Sequence, residues 1–367
     1  MTINTNIQGI FRLKTPLHCA SPDEHGVNEH GRVVPGKTGR PCTATVHQRI
    51  LANGQRDNIP YFPANDLRGR LRRKAASIVM DALARMGAKV PVELYAGLCS
   101  GAANAKPENE LTIEEAIRGS QHVYMGLFGG GTRLLRSGYS VQDAVPIVRS
   151  TVAAGLVPEG FGDYAEKPLP ASTTGTSETW QGDGWKLTDV RHILRVDDVA
   201  RVLKPAAMEQ YIENCMTVVP EYQGGVLANR AARKEGKETG ETTKKTDVGN
   251  MVTMQAIIPG TELYVRLDMQ DTLSDAQIGL LLASLEALVQ EQALGGWVRT
   301  GYGRFDVTHF KLTRDGEETG IFEQADNGQY RLTDATAPYI DAMRAEVSAL
   351  TVEELMSFFT SRKVKAA

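Results

Sequence analysis

Two periods of apolar residues organise this chain. A period of two carries Leu263, Val265, Leu267 and Met269 through ELYVRLDM, and a shorter alternation runs through Ile7, Phe11 and Leu13; both read as half-buried strands. The helical period carries Leu67, Leu71, Ala75, Ile78 and Ala82 along one face, with Pro63 ending any helix upstream and Asn65 or Asp66 placed to cap. On that helix Arg68 and Arg72 edge the apolar stripe, whereas Arg70, Arg73 and Lys74 point away from it. A second helical face, Ile278, Leu281, Leu282, Leu285, Leu288 and Val289, follows the Ser274 and Gln277 of a capping box. It leads through a glycine loop, LGGWVRTGYGRF, into a further strand, FDVTHFKL.

Elsewhere the pattern weakens. A loop rich in Gly, His and Pro extends to about Pro41. Thr112 and Glu115 open a helix after a Pro/Asn linker, LFGGGTR at 127–133 reads as a glycine turn, and 163–184 is too poor in apolar residues to be anything but an exposed loop. From about 186 to 250 the periodicity is weak, and the tip at 233–249 reads as a projecting excursion. The tail carries two helices, the second opened by Thr351 and Glu354.

Composition places the chain among folded, loop-rich proteins: 367 residues, 41% hydrophobic and 23% charged, enough for one large domain with insertions or for two. No apolar run approaches the roughly 20 residues of a membrane span, and MTINTNIQGIFRLKTPL lacks a signal-peptide core, so the expectation is a cytoplasmic protein with no membrane partner. Cys19, Cys42, Cys99 and Cys215 are scattered without a CxxC pair and read as reduced thiols. A formal net charge of −3 argues against indiscriminate nucleic-acid binding, so the distribution of charge decides. Arg68, Arg70, Arg72, Arg73 and Lys74 cluster at one helix start, NRAARKEGKETGETTKKT is basic, and DGEETGIFEQAD is acidic.

Several enzyme classes fall away. There is no GK[ST] phosphate loop, and the glycine loop follows a helix and precedes a strand, the reverse of a dinucleotide fingerprint. Gly295, Gly296, Gly301 and Gly303 permit close approach and expose N–H groups, with Arg299, Arg304, Trp297 and Tyr302 among them, a combination that suits a phosphodiester chain with stackable bases. A tight connection with incidental arginines is the plain alternative. The helix start at Asn65, with Arg68 and Arg72 nearby, suits an anionic oxygen, against the ordinary reading of a solvated basic face. His18, His25, His30, His47, Cys19 and Cys42 crowd the early loop without any finger or knuckle spacing, so no metal or other cofactor is expected. Asp23 and Glu24 in the same loop suit a metal-dependent endoribonuclease, the alternative function.

Taken together, NIPYFPANDLRGRLRR at 58–73 resembles the "PYIPGSSLKGRLR" segment of the RAMP superfamily, and LGGWVRTGYGRF resembles its carboxyl-terminal glycine-rich loop. HVYMGLFGG at 122–130 looks like the "LFG" segment of Cas-seven-type backbone subunits of CRISPR effector complexes, and VVPEY with AIIPGTELYVRLDM looks like the strand region beyond their thumb. The length and inserts look most like the type IV backbone subunit. The resemblance implies an α+β protein: an RRM-like (ferredoxin-like) palm from 1–185 and 251–312, a thumb-like insertion at 186–250, and a helical segment at 313–367 packed on the palm. It implies a non-catalytic scaffold that lines up head to tail with other copies of itself in a filament along guide RNA (crRNA). The guide would be offered to a target DNA strand in antiviral defence, with other CRISPR effector subunits and a helicase as further partners. Its RNA-binding set here would be Asn65, Arg68, Arg72, Arg73, Gly295, Gly296, Arg299, Gly301, Tyr302, Gly303 and Arg304, with Arg230, Arg233, Lys234 and Lys237 on the thumb. Asn65 and Asp66 stand where relatives often carry two serines, which favours Asn65 or the backbone over Asp66 as the contact. In type III relatives an aspartate of the early loop cleaves target RNA; that catalysis is not carried over to Asp23 or Glu24.

Overall fold

A computed structural model of the chain describes residues 5–36, 39–101, 111–132, 134–161, 187–195, 213–234 and 250–360, with 204, 206 and 209 as single positions. The architecture is mixed α+β. The opening alternation forms β1 (Thr5–Leu13), which lies between β11 (Glu262–Met269) and β12 (Phe305–Arg314). With β7 (Tyr139–Val141), β8 (Val145–Pro146) and β13 (Glu317–Gly320), they make an antiparallel sheet in the order β13-β12-β1-β11-β7, with β8 also on β11.

Register explains which residues are inside. Ile7 faces Leu267 and Leu312, and Phe11 faces Leu263 and Val307, so one face of the sheet is continuously apolar. The helices α1 (Ala64–Arg85) and α7 (Asp275–Glu291) bury their stripes in the same core, through Leu67, Leu71, Ala75 and Val79 on one and Ile278, Leu281, Leu285 and Leu288 on the other. On the opposite face Ile10 and Tyr264 pack with Ile59, Val145, Ile147 and Val157 in a second cluster. The Tyr264 ring is 5.1 Å from that of Phe161, and its hydroxyl donates to Gln8 Oε1 at 3.1 Å. Ile59 comes from a hairpin of β5 (His47–Ala52) and β6 (Gln55–Pro60), turned by Asn53 and Gly54 with both φ positive.

In the tail, β14 (Phe322–Gln324) and β15 (Tyr330–Leu332) pair ahead of α8 (Ala337–Ala349) and α9 (Val352–Phe359). α8 crosses α7 so closely that a Cβ at Gly279 would sit 2.0 Å from the Tyr339 carbonyl oxygen. Thr351 caps α9 by accepting from Glu354 N, as the sequence predicts.

The chain divides into two units. One, Met1–Asp23, Ala44–Asp189 and Ala256–Ala367, holds the sheet of β1. The other comprises Glu24–Thr43 and Val190–Gln255. It contains β2 (His25–Val27), β3 (Val33–Pro35) and β4 (Arg40–Cys42) in the order β3-β2-β4, so the expected early loop is in part a small sheet. It also contains α6 (Cys215–Lys234). VVPEY, expected as strand, lies within that helix; Pro220 is at its sixth position, where its missing N–H deprives only one carbonyl. No described helix is long and apolar enough to cross a membrane.

Candidate nucleic-acid interface

The basic start of α1 is less a solvated face than a hub, because residues four apart on a helix reach the same neighbour. Arg68 Nη2 donates to the Phe128 carbonyl at 3.3 Å, and Arg72, 7% exposed, donates to Gly129 O at 3.2 Å and also to Phe128 O. Their guanidinium carbons lie 6.0 Å from the Tyr139 ring centroid and 5.5 Å from that of Phe128. This pair therefore holds the LFGG turn. Burial lowers the Arg72 pKa from its ordinary value.

Arg70 and Lys74 reach the other way. Arg70 donates from Nη1 to Ala293 O at 3.2 Å and from Nη2 to Gly295 O at 2.7 Å, and its Nε lies 3.6 Å from the Asp66 carboxylate. Lys74 Nζ is 2.7 Å from Glu291 at the end of α7. Helix start and glycine loop, more than 200 positions apart in sequence, are thereby joined by one guanidinium.

The loop itself is tightly folded. Gly295 has φ +64°, and a Cβ there would lie 2.5 Å from His18 O; at Gly303, with φ +75°, it would lie 1.9 Å from Leu294 O. Gly296 N donates to His18 O, Gly301 N to Val298 O, Gly303 N to Pro16 O and Arg304 N to Thr15 Oγ1. Gly295 and Gly303 are thus required for close approach. The expectation that Gly301 and Gly303 offer their amides to phosphate is corrected, because both already donate inside the protein.

Three further corrections follow from contacts. Arg72 is withdrawn as a surface contact, since its guanidinium is buried on two carbonyls. Arg68 is half-buried on one of the same carbonyls and serves the turn as well. The cap of α1 is Pro63, not Asn65 or Asp66, and the Asp143 carboxylate accepts from Ala64 N at 2.7 Å, so part of the anion-attracting helix end is already filled from within. Of the predicted contacts in the two segments, Asn65 and Arg73 from α1 and Gly296, Arg299, Gly301 and Arg304 from the loop are exposed, with Tyr302 half-buried. Arg304 Nη1 donates to Glu291 O at 3.1 Å, which holds its stem against the end of α7. Arg70, the residue that joins the two segments, was not among the predicted contacts; its place four residues from both Asp66 and Lys74 is the signal that marks it.

Arg230, Arg233 and Lys234 fall in the last turns of α6, of which only the backbone is described, and Lys237 lies outside the described residues. In the early loop, burial pushes the Cys19 thiol up to about 12 and the Cys42 thiol to about 11, which leaves both protonated and unreactive. Among the described residues no group of three or more His, Cys, Asp or Glu stands close enough to hold a metal ion. Glu318 in the acidic tail segment is paired within the chain, 2.6 Å from Lys311.

The family model of the RAMP superfamily matches residues 10–306, which takes in β7, β8 and β11 of the sheet, both helices of its core and the arginine-joined glycine loop; the chain belongs to that superfamily. No curated protein matches it in sequence. Among solved structures, it is similar to a chain of a Type IV-B CRISPR complex, with 13% identity and a TM-score of 0.46 over 86% of this chain and 93% of that one. It is also similar to a chain of the Type III-B Cmr-β complex bound to cognate target RNA, with 11% identity and a TM-score of 0.36 over 85% of this chain and 61% of that one.

Proposed function

We propose that this chain is a non-catalytic, crRNA-binding backbone subunit of a type IV-like CRISPR effector complex. The observation that carries the reading is the double hydrogen bond from Arg70 to Ala293 O and Gly295 O, which joins the two family motifs; Arg73 on the first and Arg299 and Arg304 on the second are exposed. Phosphates bound there would be met by guanidinium groups, and sequence would be read by base pairing of the guide with its target strand. The palm is RRM-like: β1, α1, β7, β11, α7 and β12 follow in chain order with spatial order β12-β1-β11-β7, the split βαβ arrangement. Its open face differs in use, because Tyr264 is covered by the second apolar cluster and offers no stacking platform there.

The unit of Glu24–Thr43 and Val190–Gln255 supplies the thumb, with Arg230, Arg233, Lys234 and Lys237 as its basic residues. Copies stack head to tail, an interface that does not close and so extends along the guide. Other effector subunits, the target DNA strand and a helicase complete the partner set, in the cytoplasm.

Purification of the chain co-expressed with its guide array, followed by sequencing of the retained RNA, tests the reading. Guide-derived RNA, reduced when Arg299 and Arg304 are both changed to Ala, is expected; absence of RNA overturns it. Incubation of the assembled complex with complementary RNA and a divalent metal tests the non-catalytic role. Regular cuts lost in Asp23→Ala would make it a nuclease.

A further inference from the structure

The loop between α7 and β12 holds one residue whose backbone is strained and whose side chain makes no hydrogen bond among the described residues. Trp297 has φ +61°, the left-handed region that bulky L residues rarely adopt. Three donors fix it there: its carbonyl oxygen accepts from Thr300 N at 2.9 Å, Thr300 Oγ1 at 2.8 Å and Tyr302 N at 3.4 Å. The residue is half-buried and belongs to neither apolar cluster, and among the described residues no hydrogen bond or ring contact engages the indole. Glycine stands on one side at 296 and, beyond a single helical turn, at 301, where a Cβ would meet nothing within 4 Å. A large aromatic kept in an unfavourable backbone conformation, with part of its surface open and no partner for its indole N–H among the described residues, is the pattern of a ligand-facing residue.

From this geometry we propose that Trp297 is a nucleobase-stacking residue, so that the loop grips a base as well as the phosphates met by Arg299 and Arg304. The inference rests on the RNA-binding reading above and adds the ligand that this ring takes: the π-face of one unpaired base, with little preference among the four. Tyr302, also half-buried and tied to Trp297 through its backbone amide, flanks the same spot.

The test uses the RNA-free full chain with Trp180→Phe and Trp185→Phe, which leaves Trp297 as the single indole, titrated with a short oligoadenylate RNA and with the matching abasic strand. Oligoadenylate is expected to quench Trp297 emission and the abasic strand to leave it unchanged. Trp297→Ala is expected to weaken oligoadenylate binding by about 5-fold to 150-fold, while abasic binding and the salt dependence of both stay as they were. Trp297→Phe keeps most of the affinity. Trp297→Gly, which removes strain and ring together, is expected to bind as weakly as the alanine variant yet to melt no lower than the parent, which separates the ring's role from a folding role. Unchanged emission and equal affinity of Trp297→Ala, with salt-dependent binding intact, overturn the stacking inference and leave the RNA reading standing. Failure of both strands to bind the parent protein overturns both.

Discussion

Arg70→Ala removes a side chain that ties the start of α1 to the glycine loop. Two kinds of interaction are lost, and they differ in weight. The ion pair with Asp66 is a minor part, because the carboxylate is 37% exposed and pairs of that kind contribute about 0–1 kcal/mol. The two charge-assisted hydrogen bonds matter more: Ala293 is buried, so its carbonyl loses its donor without ready access to water, whereas the half-buried Gly295 carbonyl can be partly solvated. At about 1–3 kcal/mol for each carbonyl left unmet, the loss is about 2–4 kcal/mol. With an unfolding entropy of about 2.1 cal/mol/K per residue, that is a fall of roughly 3–5 °C in melting temperature for a chain of this length. Amide exchange over 294–304 should rise with it, since Gly296 N to His18 O and Leu294 N to Gly303 O are held in the same loop. Arg70→Lys, which keeps the charge but reaches only one carbonyl, should fall between, and Arg73→Ala on the exposed side should move stability by no more than about 0.5 kcal/mol. If Arg70→Ala melts like Arg73→Ala and exchange at 294–304 is unchanged, the joining role assigned to Arg70 is wrong.

Arg72→Met should destabilise by about 1–3 kcal/mol in urea unfolding, because it strips a donor from Gly129 O and leaves Phe128 O to Arg68 alone; an unchanged stability would contradict its place there. Burial, and behind it the charge of Arg118, pushes the His122 imidazole down to about 4, and its Nδ1 accepts from Tyr124 N and Met125 N at 3.1 Å each. The unfolded chain takes up a proton near 6.5 that the folded one refuses, so stability should rise with pH between about 4 and 6.5, by up to about 3 kcal/mol, and be level above. His122→Asn keeps an acceptor for both amides and should flatten urea midpoints across that window; an undiminished climb would assign the pH dependence to another group. Arg299→Ala should leave melting unchanged and reduce the slope of log affinity against log salt for single-stranded RNA by about 0.7, whereas a uniform loss at constant slope would point to damaged folding instead of a lost phosphate contact.

Much of the core was legible because period and register agree. The stripe of Leu67, Leu71 and Ala75 and that of Ile278, Leu281 and Leu285 meet the alternation of Leu263, Val265 and Leu267 in one apolar layer. Elements shorter than about four residues were not: β2, β3 and β4 carry too few positions for a period to register and sit among the glycines and prolines that otherwise mark loops. α6 was missed because Pro220 and a paired glycine interrupt its pattern, although it runs for 20 residues. At the site, residue type was readable and direction was not. Helical phase correctly set Arg68 and Arg72 beside the apolar stripe, but that edge abuts the LFGG turn, so their charges face carbonyls and not solvent. The same phase set Arg70 aside as outward-pointing, though the returning glycine loop lies on that side. Glycine-loop amides were misjudged for a related reason, since a sequence records how many N–H groups a loop has and not which carbonyls, here Val298 O and Pro16 O, already accept from them.

The claim on which the rest depends is that α1 and the glycine loop form one RNA-holding surface. Ultraviolet cross-linking of the RNA that co-purifies with the chain, with modified peptides located by mass spectrometry, tests it most directly. Cross-links are expected within residues 64–74 and within 294–304, foremost at Trp297 and Tyr302. RNA cross-linked only elsewhere, for instance to the face of the sheet that carries Gln8 and Arg266, would contradict it.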